Sequence, residues 1–234
     1  MRTTVMRMPH AHYSDRRCPM RTAVMRMTHP IKLAPMTTAP LRKDAARNWE
    51  RIVAVARGLV DEGTPLQLND VARRAQLGVG TVYRHFPTAE ALLETVATPC
   101  LEELTAQGEQ ALAAEDPGRA FVGFLTRTVE AQVTDASLSM VTSAPTDTLP
   151  RTTELKQSLW SVGGRLLDRA RDAGVVRADL TSGDLVPLMC GIAYAASVHG
   201  GDPAVRADTA RRYLTALLEG LCERRTPQDP YPAR

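Results

Sequence analysis

The chain has 234 residues, enough for one or two domains with a buried core, and a net charge of only +3. Aromatic residues make up 4% of it, and Ala, Arg and Leu are the commonest residues, a composition that favours helices over sheets. No run of about eighteen apolar residues occurs, which excludes a membrane-spanning helix, and the basic N-terminus lacks the apolar stretch of a secretory signal.

The charge is unevenly placed. Residues 1–40 hold seven Lys/Arg against Asp15 alone, whereas residues 97–234 hold fourteen basic and eighteen acidic groups, a net of −4. A basic front and an acidic rear point to a polyanionic partner at the N-terminal end. Residues 1–40 lack hydrophobic periodicity and are rich in Met, Thr, Arg and Pro, so a disordered basic tail is expected. Within it, MRTTVMRMPH at 1–10 recurs as MRTAVMRMTH at 20–29. Residues Val5–Tyr13 are compatible with codons that form an inverted repeat of about 27 base pairs centred on Pro9, the symmetry of a site read by a dimer. Part of the tail then reads as translated regulatory DNA with the start at Met20 or Met36, which the nucleotide sequence of the gene decides.

From Asp44 the pattern changes. Ile52, Val53, Ala56, Leu59 and Val60 share one helical face, and Gly63-Thr64-Pro65 ends the helix. A short helix over about 69–76 follows, with Leu68, Val71, Ala72 and Ala75 apolar, then a third over about 79–86, ended by Pro87. Three short helices, the last two joined by a tight turn, make a helix-turn-helix unit at 41–87. Thr88 is suited to cap a long helix to about Ala114, and Pro117 opens another to about Thr134. Residues 142–152 read as a loop with two prolines. A helix from about Thr153 stops at Gly174, a C′ glycine. Thr181 and Asp184 form a capping-box start for a helix to about Val198, and after the break at 199–203 a last helix runs to about Glu223. Residues 88–225 form a C-terminal helical domain, and 226–234 a frayed tail. The fold class is all-α, with about nine helices.

The stretch LGVGTVYRHF at 77–86 carries the chemistry. A helix entering the major groove needs small residues at its leading end and hydrogen-bonding groups on its open side. Val79, Val82 and Phe86 recur at helical spacing and are expected to pack inward. Gly78 and Gly80 clear space for a close approach of backbone, and Thr81 and Arg84 offer donors to phosphate or a guanine edge. Arg73 and Arg74 read as a solvated face.

These residues bear a resemblance. LNDVARRAQLGVGTVYRHFPTAEALLETV resembles the DNA-binding signature of TetR-family transcriptional regulators, matching A-x-x-A-x-x-G-x-G-T-x-Y-x-H-F-P-x-x-x-A-L. The remainder is similar to regulators with an SbtR-like C-terminal domain, notably in RDAGVVRADLTSGDLVPLMCGIAYA and DTARRYLTALLEGL. The resemblance implies a homodimer whose N-terminal units bind a palindromic operator and whose C-terminal domains hold a small-molecule effector. It also implies that Thr81, Tyr83 and His85 contact DNA, that Val79 and Gly80 open the recognition helix, and that Asn69 lies near the start of the second helix. Two departures from the family pattern stand out. Gln76 occupies a turn position where glycine is usual, and Ala89 stands where a phosphate-binding Lys or Arg is common. Arg42, Lys43 and Arg47 ahead of the first helix are then expected to carry more of the phosphate attraction, beside Arg84.

In the C-terminal half the candidate effector contacts are the large or polar-tipped residues Phe121, Phe124, Met140, Trp160, Met189, Tyr194 and His199. Stripes of Leu185, Leu188, Ile192, Leu214, Leu217, Leu218 and Leu221 on the last two helices suit a four-helix dimer interface. Cys18, Cys100, Cys190 and Cys222 are scattered, without C-x-x-C or a neighbouring His pair, so reduced thiols and no metal or cofactor are expected. No nucleophile elbow, P-loop, H-E-x-x-H or dinucleotide fingerprint occurs. The reading is a DNA-binding regulator, not an enzyme, acting in the cytoplasm on the nucleoid. A repressor released by its effector comes first. The alternatives are an activator or a ligand-independent DNA-binding protein and, distantly, a helical-bundle enzyme.

Overall fold

A computed structural model describes residues 38–221, with side chains from 43 to 220. The inverted-repeat reading of the tail, the side chains of Arg42 and Leu221, Cys18, Cys222 and the frayed end at 226–234 lie outside the described residues. Among the described residues there are nine helices and no strand: α1 Thr38–Asp61, α2 Leu68–Arg74, α3 Val79–His85, α4 Ala89–Ala111, α5 Pro117–Thr134, α6 Ala136–Ser143, α7 Pro150–Asp172, α8 Ser182–His199 and α9 Pro203–Leu221. None of these is long and apolar enough to cross a membrane.

Most helix ends follow local chemistry. The Thr88 side chain accepts from the Ala91 N–H at 3.1 Å, and Asp116 and Asp135 cap α5 and α6 in the same way. Thr181 and Asp184 form both halves of a capping box on α8. At the end of α7, Gly174 has φ +66°, and its N–H and that of Val175 close onto Arg171 and Ala170, a Schellman motif. Helix α6 was not expected. Its eight residues, ASLSMVTS, show no apolar stripe, and only Asp135 as an N-cap marks its start. It shortens the expected loop, and α7 begins earlier than expected, at Pro150.

The apolar faces build two cores. One joins α1, α2 and α3 through Ile52, Leu59, Val71, Val82 and Phe86, and takes Leu92 and Val96 from the start of α4. The other begins one residue later, at Ala97, and continues through Leu101, Phe121, Leu138, Leu166 and Leu214. Helix α4 therefore belongs to both. Where the cores meet, Pro99 removes one backbone donor from α4. Helix α5 is central to the larger core, packing against α4, α6, α7, α8 and α9. The close crossing of α4 with α5 and α7 depends on Gly108, where a Cβ would lie 2.4 Å from Val162 and 2.8 Å from Phe124.

Candidate nucleic-acid interface and effector cavity

Helix α3 is held from behind. Val82 is fully buried and Phe86 nearly so, while Tyr83 and Arg84 face solvent and Thr81 and His85 are half-buried. Val79 departs from expectation. It is 47% exposed, because it lies in the first turn, ahead of the part of α3 that Val82 and Phe86 anchor. A Cβ at Gly80 would meet nothing within 4 Å, so no contact inside the protein calls for glycine there. Arg84 folds along its own helix, donating to the Gly80 carbonyl at 3.1 Å and to the Thr81 hydroxyl at 3.3 Å.

On α1, Lys43 and Arg47 are exposed, Arg47 within 3.7 Å of Asp44, and on α2 Asn69 is exposed. Arg73 and Arg74 are engaged by carboxylates, Arg73 with Asp70 at 2.7 Å and Arg74 with both oxygens of Glu62. Trp49, which sequence reasoning passed over, stands 42% exposed with its ring 6.4 Å from that of Phe86.

The turn between α2 and α3 fixes how α3 is presented. Gln76 has φ +52°, the left-handed region, and the N–H groups of Gln76 and Leu77 close onto Arg73 and Ala72 as in a Schellman motif. Leu77 packs on the small core, and Arg51 of α1 donates to the Ala75 carbonyl at 2.5 Å. A side chain in this conformation costs about 1–2 kcal/mol, partly offset by the greater unfolded-state freedom of glycine. Gln76→Gly is accordingly expected to raise the unfolding free energy by about 0.5 kcal/mol in urea denaturation, with Gln76→Ala at or below the starting value.

Two adjoining cavities open to solvent from the edge of the larger core and share Gln132 and Thr142. The first, about 50 Å³, is walled by Phe124, Leu159, Trp160, Leu185 and Met189 among others. The second, about 340 Å³, lies among α5, α6, α8 and α9, with Met140, Cys190, Tyr194 and Arg206 in its wall. Five of the seven expected effector contacts thus border a cavity. Phe121 does not: it is fully buried in the core. His199 does not either, being exposed at the end of α8. The leucine stripes also need correction. Leu185, Ile192, Leu214 and Leu218 are buried within the chain's own core, and Leu188 and Leu217 are half-buried against it. The apolar residues that α8 and α9 leave open are Tyr194, Val198, Val205 and Tyr213.

Between the two cores sits an ionic knot. Arg57 of α1 donates to Asp135 at 2.8 Å, to the Ser137 hydroxyl at 3.1 Å and to the carbonyl of Val96 on α4. Burial opposes the Asp135 charge, yet hydrogen bonds from Ser137, Leu138 and Arg57 outweigh it and hold the carboxyl below its ordinary range. Burial, with the Asp135 charge nearby, pushes the Cys100 thiol up to about 11, and burial also raises Cys190. Both thiols therefore stay protonated near neutrality and are poor nucleophiles. Among the described residues no cluster of His, Cys, Asp and Glu could hold a metal ion.

Residues 52–96 match the model for bacterial regulatory proteins of the tetR family, and residues 116–223 that for the transcriptional regulator SbtR-like C-terminal domain. A TetR transcription regulatory protein from Mycobacterium vanbaalenii shares 31% identity, the match covering 79% of this chain and 100% of that one, with a TM-score of 0.47. The chain belongs to the TetR family of transcriptional regulators. A TetR regulator from Streptomyces coelicolor is 30% identical over 74% of this chain and 98% of that one, with a TM-score of 0.49. The fold is also that of FadR from Bacillus subtilis, solved in complex with stearoyl-CoA, at 14% identity over 74% of this chain and 99% of that one, with a TM-score of 0.55. No curated protein sequence matches. Within this regulator sequence reasoning also missed Arg57, Glu94 and Gln132. Each acts through partners more than 35 positions away, and nothing local marks them.

Proposed function

We propose that this TetR-family regulator is a homodimeric repressor whose two α3 helices read the half-sites of a palindromic operator and which a small effector releases. Residues 41–87 would form the DNA-binding unit and residues 88–225 the effector and dimer domain. The observation that carries the reading is the presentation of α3: anchored by Val82 and Phe86, it turns Gly80, Tyr83 and Arg84 outward. Tyr83 and His85 would hold the DNA backbone, Thr81 and Arg84 would reach phosphate or base edges, and Lys43 and Arg47 would add phosphate attraction. A second copy would pack on the open apolar residues of α8 and α9, Tyr194, Val198, Val205 and Tyr213.

Release needs an effector that binds one conformation better than the other. Helix α6 supplies a path for it. Met140 and Thr142 face the cavities, while Asp135 at its N-terminus is tied by Arg57 to α1. An effector that displaced α6 would therefore pull on α1, the first helix of the DNA-binding unit. That FadR of the same fold holds stearoyl-CoA supports a small-molecule effector here.

Fluorescence anisotropy on DNA from upstream of the gene tests the reading. A dimer loses contacts at both half-sites, so Tyr83→Ala and His85→Ala are each expected to weaken binding at least tenfold, the equivalent of about 1.4 kcal/mol. Unchanged affinity in both variants would sink the assignment of α3 as the reading helix.

A further inference from the structure

Gln132 puts an unanswered acceptor between the two cavities. Gln132 is 7% exposed and borders both. Its amide nitrogen faces the Cys190 sulfur at 4.0 Å, a weak contact, and its buried Oε1 has no hydrogen-bond partner at all. Four of the hydroxyls nearby are already committed as donors to their own helices: Thr128 to the Phe124 carbonyl at 2.9 Å, Thr142 to Leu138 at 2.8 Å, Ser143 to Ser139 at 2.8 Å and Ser197 to Tyr194 at 2.7 Å. What these groups present to the cavities is lone pairs.

Charge is confined to the second cavity. No side chain in the wall of the first cavity is ionisable. The buried Lys156 is neutralised by Asp147 at 2.5 Å. Arg206, in the second cavity, donates to the carbonyls of Val133 at 3.2 Å and Gly201 at 3.1 Å, which ties the segment before α9 to α5. A buried acceptor without a partner is costly, and a bound donor removes that cost.

We infer that the effector is an uncharged molecule with an aromatic or aliphatic body and a hydroxyl or N–H donor, the body spanning both cavities from Phe124 and Met189 to Met140 and the donor meeting Gln132 Oε1. The inference rests on the effector-binding reading of this domain and names the ligand class for it. A carboxylate or phosphate would meet lone pairs at Gln132 Oε1 and at the four committed hydroxyls, and no cation in the wall of the first cavity.

The test uses the full chain and three probes of one shape in equilibrium dialysis: 2-naphthol, 2-methoxynaphthalene and 2-naphthoate. 2-Naphthol is expected to bind at least tenfold more tightly than the methyl ether, which has no donor, and than the carboxylate. In Gln132→Leu, which removes the orphaned oxygen, naphthol and its ether are expected to fall within about twofold of each other. Equal binding of naphthol and ether by the native chain overturns the inference, as does a preference for naphthoate, selectivity that survives Gln132→Leu, or binding of none of the three. The ligand series on the native chain stands even if the variant folds poorly. Anisotropy on the upstream DNA, run alongside, keeps the two readings apart. Loss of operator binding as a property of the native chain overturns the repressor and leaves the cavity chemistry standing, whereas failed selectivity with intact operator binding overturns only the ligand class.

Discussion

Replacing Gly80 by Ala is expected to leave the protein slightly more stable and its operator complex about a hundredfold weaker. Gly80 lies inside α3, where Ala is favoured over Gly by about 0.5–1 kcal/mol. The new methyl group would meet nothing within 4 Å in the protein, so the gain comes without an internal clash. A melting temperature higher by about 2 °C is the expected reading. On DNA the same methyl group would stand between the helix and the backbone it approaches. An overpacked contact costs about 1–3 kcal/mol, and the proposed dimer would meet it at both half-sites. A cost near 1.4 kcal/mol at each site gives about a hundredfold. Thermal melts and anisotropy on one preparation check both signs. A more stable variant with undiminished affinity would show that Gly80 does not face DNA.

Glu94→Ala is expected to lower the unfolding free energy by about 3 kcal/mol, and Glu94→Gln by about half as much. Glu94 is 4% exposed on α4, yet it accepts from the N–H groups of Thr148 at 2.6 Å and Leu149 at 2.8 Å. Leu149 is the N-cap residue of α7 and makes no side-chain cap of its own. The carboxylate of one helix thus caps another, placing negative charge at the positive end of α7. Truncation removes two charge-assisted hydrogen bonds of about 1.5 kcal/mol each, whereas Gln keeps one oxygen. Denaturant unfolding of the three proteins checks the series. Both variants within about 0.5 kcal/mol of the native chain would mean that the segment before α7 finds other partners.

Much of the DNA-reading unit was legible because its signals are local. Val82 and Phe86 fall on the inward face of α3, Gln76 stands where a left-handed residue closes α2, and Thr88 caps α4; each rule spans five residues or fewer. Gly174 and the Thr181–Asp184 box ended α7 and began α8 for the same reason. Helix α6 escaped because its Ser- and Thr-rich stretch has no amphipathic stripe, so tertiary packing rather than propensity holds it.

By itself, the sequence determined an all-helical chain of the TetR family, with a helix-turn-helix in front, since motif spacing and helix caps are properties of neighbouring residues. Only the tertiary structure decided which apolar stripe goes where. Leu185, Ile192, Leu214 and Leu218 carry the same pattern whether they face their own core or a partner, and the fold turns them inward, leaving Tyr194 and Val198 outside. It also decided the long-range pairs: Arg57 with Asp135, Glu94 with the start of α7, and Gln132 with its unanswered oxygen. A charge or an amide has no periodicity to betray its partner, and its role exists only once the backbone has brought distant segments together.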